Sequence, residues 1–295
     1  MQAIAKLGQL LRVYSGHLGA DDLDAAYSSR ENHIIIGGCG RSGTTLVRVI
    51  LDSHRNICCG PESEILLPDS LDIGKLLSKF KLDPQLLSEA YRTSQSRAHF
   101  IDRFAEICCA ATGKQRWAEK TPRNILHLDY LFDKFPVSQF VHVLRDGRDV
   151  ACSLRTHPRH RVENGKLVPL NTWKPMEACV ARWRESMLAT RPYWSDPRFY
   201  TVRYEELVAD PRTAVAKLLQ FLGEDWDEAV LAHHEVESDF RDATAFPQNP
   251  EALEPIGTQA VARWQRDMTD EDKKTFKEIA GELLIESGYA SDNDW

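Results

Sequence analysis

The residues from Ile36 to Thr45, Ile36-Gly37-Gly38-Cys39-Gly40-Arg41-Ser42-Gly43-Thr44-Thr45, follow the apolar run His33-Ile34-Ile35 and combine the groups that hold a phosphate. An apolar strand feeds a glycine-rich turn, and Leu46, Val49, Ile50 and Ser53 then recur at helical spacing. Such a turn aims consecutive N–H groups and a helix N-terminus at an anion. The Gly38-to-Gly43 spacing is the Gly-x4-Gly of a Walker A loop, but Thr44 and Thr45 stand where Lys and Ser/Thr should follow. The nearest cation, Arg41, lies inside the loop, so the lysine that bridges β- and γ-phosphates is missing. A second strand–turn–helix carries Val143-Leu144-Arg145-Asp146-Gly147-Arg148-Asp149, with Ser153 two helical turns beyond Arg145. Two arginines at the carboxyl end of a strand can bind another anion. In isolation the same residues fit a charged turn laced by local ion pairs just as well. Beside a phosphate loop on an earlier strand, a second anion site is the better reading.

These residues need a scaffold, and its pattern is an alternation of strands and helices. Apolar, β-rich runs occur at 33–36, 57–59, 116–118, 139–144 and 198–202. Helical periodicity lies between them: Ile101, Phe104, Ile107 and Cys108 after a Ser96 cap, and Val180, Trp183 and Met187 on another face. Asp210-Pro211 opens a helix that Gly223 ends, and Thr269 caps the last one, which stops at Gly288. The pattern predicts a three-layer, P-loop-like α/β domain, its central parallel sheet flanked by helices, with Ile57–Cys59 beside His33–Ile36. Ligands in such folds gather at the carboxyl ends of the strands. The chain reads as a single domain over 1–295 with a helical N-terminal extension over 1–30. Two stretches, 155–175 and 238–258, lack periodicity and read as irregular loops or lids.

At 295 residues and 42% hydrophobic content the chain can bury a full core. Its net charge of -7 argues against a nucleic-acid partner. No apolar run is long enough to span a membrane, and the opening residues lack the apolar centre of a signal peptide. The seven cysteines are odd in number and lack metal-site spacing, so free thiols and a cytoplasmic location are expected. A homodimer stays open. His233-His234 has no matching ligands and reads as a surface pair.

Together the two anion motifs resemble the sulfotransferase family, enzymes that use 3′-phosphoadenosine-5′-phosphosulfate. Arg41-Ser42-Gly43-Thr44-Thr45-Leu46-x-Arg48-x-x-Leu51-Asp52-x-His54 is similar to that family's 5′-phosphosulfate loop, and Arg145 through Ser153 to its 3′-phosphate site. Cys59-Gly60-Pro61-Glu62 falls where the tyrosylprotein sulfotransferases and their bacterial relatives place a base. Glu119-Lys120-Thr121-Pro122, Arg203-Tyr204-Glu205-Glu206-Leu207 and Arg263-Trp264 follow in the same order, and the resemblance covers roughly residues 33–290. Thr121 stands where the animal tyrosylprotein enzymes carry an acidic residue, and Arg41 where the small-molecule branch carries Lys.

The resemblance implies roles. Glu62 would be the base, while Arg41 and Lys120 would stabilise the leaving group. Ser42, Gly43, Thr44 and Thr45 would hold the 5′-phosphate; Arg145 and Ser153, with Tyr204 nearby, would hold the 3′-phosphate. Sulfuryl transfer needs no metal as insistently as phosphoryl transfer, because the moving group carries less charge. The expected product is adenosine 3′,5′-bisphosphate. The expected acceptor is a hydroxyl, with a phenol such as peptide tyrosine ahead of a sugar, glycolipid or other metabolite. Taken singly, Glu62 and Lys120 are ordinary surface charges, Glu64 competes with Glu62 as base, Tyr204 could simply end a strand, and Trp264 is more readily core than a ligand stack. Two other functions compete: a P-loop kinase or NTPase with Asp146 on the metal, and a non-catalytic nucleotide-binding protein.

Overall fold

Every residue of Ile34–Gly37 (β1) is buried, as a strand covered on both faces requires. The computed structural model describes residues 27–69, 71–156, 159–163, 166–170, 173–238, 240 and 250–295. After β1 come α1 (Thr44–Ser53), β2 (Ile57–Cys59), α2 (Ile73–Phe80), α3 (Pro84–Thr93), α4 (Arg97–Thr112), β3 (Arg116–Lys120), α5 (Leu128–Lys134) and β4 (Gln139–Leu144). Then follow α6 (Gly147–Thr156), a β5–β6 pair (Arg159–Glu163, Lys166–Leu170), α7 (Met176–Thr190), β7 (Phe199–Arg203), α8 (Tyr204–Ala209), α9 (Pro211–Leu222), α10 (Trp264–Asp267) and α11 (Asp270–Glu286).

Five strands form one parallel sheet in the order β2-β3-β1-β4-β7. Side chains alternate across it. Ile35, Cys58, Trp117, Phe140 and Phe199 enter a core shared with α2 to α5. Ile34, Ile36, Ile57, Ala118, Val141 and Val202 enter another, shared with α1, α8 and α9. That is the three-layer arrangement the alternation of elements predicts. A third cluster joins α6, α7 and α11 through Val150, Val180, Trp183 and Phe276.

One expectation about the sheet fails. β2 does not lie beside β1, because β3 pairs with both, Ile34 facing Ala118 and Ile57 facing Arg116. β3 has five residues to pair on its two edges, whereas β2 has three and sits outermost. The chain therefore runs from β1 to the outermost β2, returns to β3 between them, and then crosses to β4 and β7 on the other side. β1 lies at the switch between these directions, and a crevice opens at its carboxyl end.

The expected caps are in place. Ser96 accepts from the His99 N–H, Asp210 from Thr213 with Pro211 at the first helical position, and Gly223 closes α9 at φ +73°. Thr269 and Asp272 form a reciprocal capping box at α11. The stretch 155–175 is not irregular throughout: β5 and β6 pair antiparallel, Arg159 opposite Leu170. Within 238–258, Pro250–Leu253 forms a 3-10 turn, while residue 239 and residues 241–249 lie outside the described residues, as do residues 1–26 of the N-terminal extension. His233 is not a surface residue but fully buried, and only His234 is exposed. Among the described residues no helix is long and apolar enough to cross a membrane, and all seven cysteines are free.

Candidate active site

The turn after β1 is shaped by two left-handed residues, Arg41 at φ +77° and Gly43 at φ +97°. Gly43 is the N-cap of α1 and supplies no side-chain cap, so that helix presents its N-terminal N–H groups without a side-chain partner from the cap position. Glycine is needed here twice over. Its φ is costly for other residues, and a Cβ would sit 2.5 Å from the Tyr204 ring. Ser42 departs from its expected role: its N–H donates to Cys39 O at 3.1 Å, it is 1% exposed, and it does not line the cleft. The turn spends that donor on itself. Gly43, Thr44 and Thr45 remain facing the cleft.

The second motif folds against the first. The Arg145 guanidinium donates through Nη1 to Arg41 O at 3.0 Å and through Nη2 to Ala260 O, and it lies 4.7 Å over the Tyr204 ring. Its Nε is buried with no hydrogen-bond partner among the described residues. Arg41 Nε donates to Ser153 Oγ at 3.1 Å, so the two loops meet side chain to side chain. Tyr204 opens α8 rather than ending a strand, and its ring forms a floor for both loops. Arg148 is the member of the second motif that leaves the site. It pairs with both oxygens of Asp146 at 2.7–3.2 Å and is held between Trp264 at 3.8 Å and Trp295 at 4.6 Å. Trp264 is accordingly packed against a structural arginine, and the Asp146 carboxylate is committed to Arg148.

Glu62 and Lys120 meet at the floor of the same cleft. Lys120 is 1% exposed, and its ammonium forms an ion pair with Glu62 Oε1 and lies 3.4 Å from Thr45 Oγ1. Burial would push the Glu62 carboxyl up, but Lys120, with Lys79 and Arg48 nearby, outweighs it and holds the group below its usual range. Glu62 therefore stays ionised at neutral pH. Glu64 pairs instead with Lys75 and does not line the cleft.

The cleft encloses about 880 Å³, and Arg41, Gly43, Thr44, Thr45, Glu62, Arg145, Ser153 and Tyr204 all line it. Lys120 stands behind them and enters through Glu62 and Thr45. Sequence reasoning did not assign three further cations of the lining, Lys174, Arg182 and Arg266, of which Arg182 stands beside Gly40 of the phosphate loop and Lys174 donates to Leu154 O at 3.3 Å. The wall from Glu254 to Ala260 begins inside the stretch 238–258 that reads as a loop or lid. Asp149 fixes the end of that wall, accepting from Ala262 N at 2.8 Å and Trp264 N at 2.9 Å. No spacing in the sequence links Asp149 to those residues. An uncapped helix N-terminus, the Arg41–Ser153 pair and an incompletely satisfied Arg145 fit a ligand with two separated anionic groups.

Comparison with known proteins bears on the family and the fold. The family model described as "Sulfotransferase family" matches residues 33–228, more than half of the chain. A protein-tyrosine sulfotransferase of Drosophila melanogaster is 27% identical over 282 residues, covering 90% of this chain and 54% of the relative. The chain thus spans about half the length of that relative. Among solved structures, the sulfotransferase domain from the curacin biosynthetic pathway superposes with a TM-score of 0.62 at 19% identity, over 87% of this chain and 98% of that one. A mouse sulfotransferase complexed with PAP gives a TM-score of 0.54 at 14% identity, over 88% and 87% of the two chains. With the matched region spanning β1 through the second anion loop and beyond, the chain belongs to the sulfotransferase family.

Proposed function

We propose that this cleft transfers a sulfuryl group from 3′-phosphoadenosine-5′-phosphosulfate to an acceptor hydroxyl. The observation that carries the reading is the Glu62–Lys120 ion pair set against Thr45 of the phosphate loop: a carboxylate and a buried cation side by side at an anion site. The donor supplies the activated sulfuryl group. Gly43, Thr44 and Thr45 would hold its 5′-phosphate, and Arg145 with Ser153 its 3′-phosphate. Arg41 and Lys120 would offset the charge that grows on the oxygen between phosphate and sulfate as the S–O bond breaks. Glu62, ionised at neutral pH, would take the acceptor's proton as its oxygen bonds to sulfur. The PAP in the related mouse structure supports this donor, and the protein-tyrosine sulfotransferase relatives support a phenol such as peptide tyrosine as acceptor.

A kinase or NTPase reading needs Asp146 on a metal, and that carboxylate is closed on Arg148. Transfer of label from radioactive donor to a panel of tyrosine peptides, simple phenols, sugars and glycolipids is the test. Labelled phenols are expected. Label confined to sugars would overturn the acceptor, and hydrolysis of ATP with Mg2+ without any sulfuryl transfer would overturn the reaction.

A further inference from the structure

Glu119 is used by no step above, yet its carboxylate accepts four hydrogen bonds beside the cleft. It lies on β3 directly before Lys120, is 2% exposed, and no basic side chain pairs with it among the described residues. Instead Oε1 accepts from Ser63 N at 3.2 Å, Ser63 Oγ at 2.8 Å and Thr121 Oγ1 at 2.7 Å. Oε2 accepts from Asn124 Nδ2 at 2.5 Å. The donors converge from the turn that carries Glu62 and from the strand end that carries Lys120.

That turn needs holding. Glu64 sits at φ +59°, a left-handed conformation unfavourable for a residue with a Cβ. Its N–H donates to Thr121 Oγ1 at 3.2 Å, and the Ile65 N–H donates to Ser63 Oγ at 3.2 Å. Both hydroxyls are thereby oriented with their protons on Glu119. Residues 63–65 thus hang from one buried carboxylate, directly or through a hydroxyl. Lys79, donating to Glu62 O, ties the turn from the other side.

We propose that Glu119 is a positioning residue for sulfuryl transfer: its carboxylate fixes the strained 62–65 turn so that Glu62 meets Lys120 at the cleft floor. The proposal rests on Glu62 being the base. The ionised form suits this task, because it accepts from all four neighbouring donor groups at once. Burial pushes the Glu119 pKa up, and the hydrogen bonds from Asn124, Thr121 and Ser63 only partly offset that. Burial works against a charge here, and the four donors gathered on the carboxylate are what offsets it, an arrangement that a purely space-filling role would not require.

The test compares Glu119→Gln and Thr121→Val with the unaltered full chain. In Glu119→Gln an amide N–H2 replaces one acceptor oxygen, and Thr121→Val removes one hydroxyl at nearly constant volume. Both variants are expected to keep the thermal stabilisation by adenosine 3′,5′-bisphosphate, since the phosphate loops are untouched. Turnover should fall roughly 10-fold or more, the scale of a misplaced reacting group. The acid limb of the kcat–pH profile should also move to higher pH, because a Glu62 drawn away from Lys120 loses the cation that lowers its pKa. A general loss of folded protein would scale kcat without moving that limb. If both variants turn over within about twofold of the parent with the acid limb in place, the positioning role falls. If Glu119→Gln does not fold, Thr121→Val decides by the same two readouts. Glu62→Gln, run alongside, separates the two claims. An active Glu62→Gln overturns the base itself, whereas a dead Glu62→Gln beside unaffected Glu119→Gln and Thr121→Val overturns only the positioning role.

Discussion

In the proposed reaction Glu62 is the base and Lys120 a buried cation beside it, and each makes a separate demand on a variant. Glu62→Gln keeps shape and hydrogen bonding but removes basicity. Its kcat should fall roughly 10²-fold or more, while affinity for adenosine 3′,5′-bisphosphate changes little, as isothermal titration would show. The pH dependence follows from the same pair. A carboxyl held below its unfolded value is ionised above that value, so the ion pair is intact at neutral pH and is lost only as pH falls through the depressed value. No acid limb from Glu62 should therefore appear between about pH 8 and about pH 6 in a kcat–pH series. An acid limb near neutrality that vanishes in Glu62→Gln would contradict that environment. Arg41, Glu62 and Lys120 were legible because they lie within short motifs. What the sequence concealed was pairing and depth: Lys120, an ordinary surface lysine by type, is 1% exposed because β3 is interior to the sheet. The turn hydrogen bond from the Ser42 N–H to Cys39 O was likewise hidden, because it leaves no trace in spacing.

At the scale of elements, the proposed function gives the α1 N-terminus and the β4–α6 loop different duties as anion sites. Gly43→Ala would force an L-residue into a left-handed conformation, at about 1–2 kcal/mol, and drive its Cβ into Tyr204. The sheet should survive, but the nucleotide-dependent rise in Tm should be lost. Retained nucleotide stabilisation would mean that α1 does not hold the phosphate. Arg145→Ala removes contacts to a group that does not react, so steady-state kinetics should show a raised donor KM with kcat little changed. A falling kcat at constant KM would place Arg145 at the reacting centre instead. The strands were legible to within about two residues of their ends, since buried apolar runs and caps are local signals. Strand order was not, because parallel neighbours are joined by crossovers and β3 enters between β1 and β2 only after three helices. The β5–β6 pair was overlooked despite Asn164-Gly165 standing between its strands, a hairpin signal masked by charged residues and prolines around it.

The molecule as a whole is acidic, at net charge -7, yet Arg41, Arg145, Lys174, Arg182, Arg263 and Arg266 line the cleft against Glu62 and Glu254. Positive charge gathered in a concave, partly enclosed site focuses the field on an anionic ligand and is screened by salt. Donor KM should therefore rise several-fold between low and high ionic strength, with kcat nearly constant. A salt-independent KM would remove these cations from the binding account. These cations were illegible because they come from Lys174 just before α7, Arg182 within α7, and Arg263 and Arg266 at the start of and within α10, far apart in the chain. The most direct measurement on the whole cleft is thermal unfolding with adenosine 3′,5′-bisphosphate, compared with ATP and Mg2+. A ligand at about a hundredfold excess over its Kd stabilises by about 2.7 kcal/mol, several degrees in Tm for a chain of this size. The expected result is a rise of that order with the bisphosphate and little or none with ATP and Mg2+. Stabilisation by ATP with Mg2+ in preference to the bisphosphate would contradict a sulfuryl-transfer site.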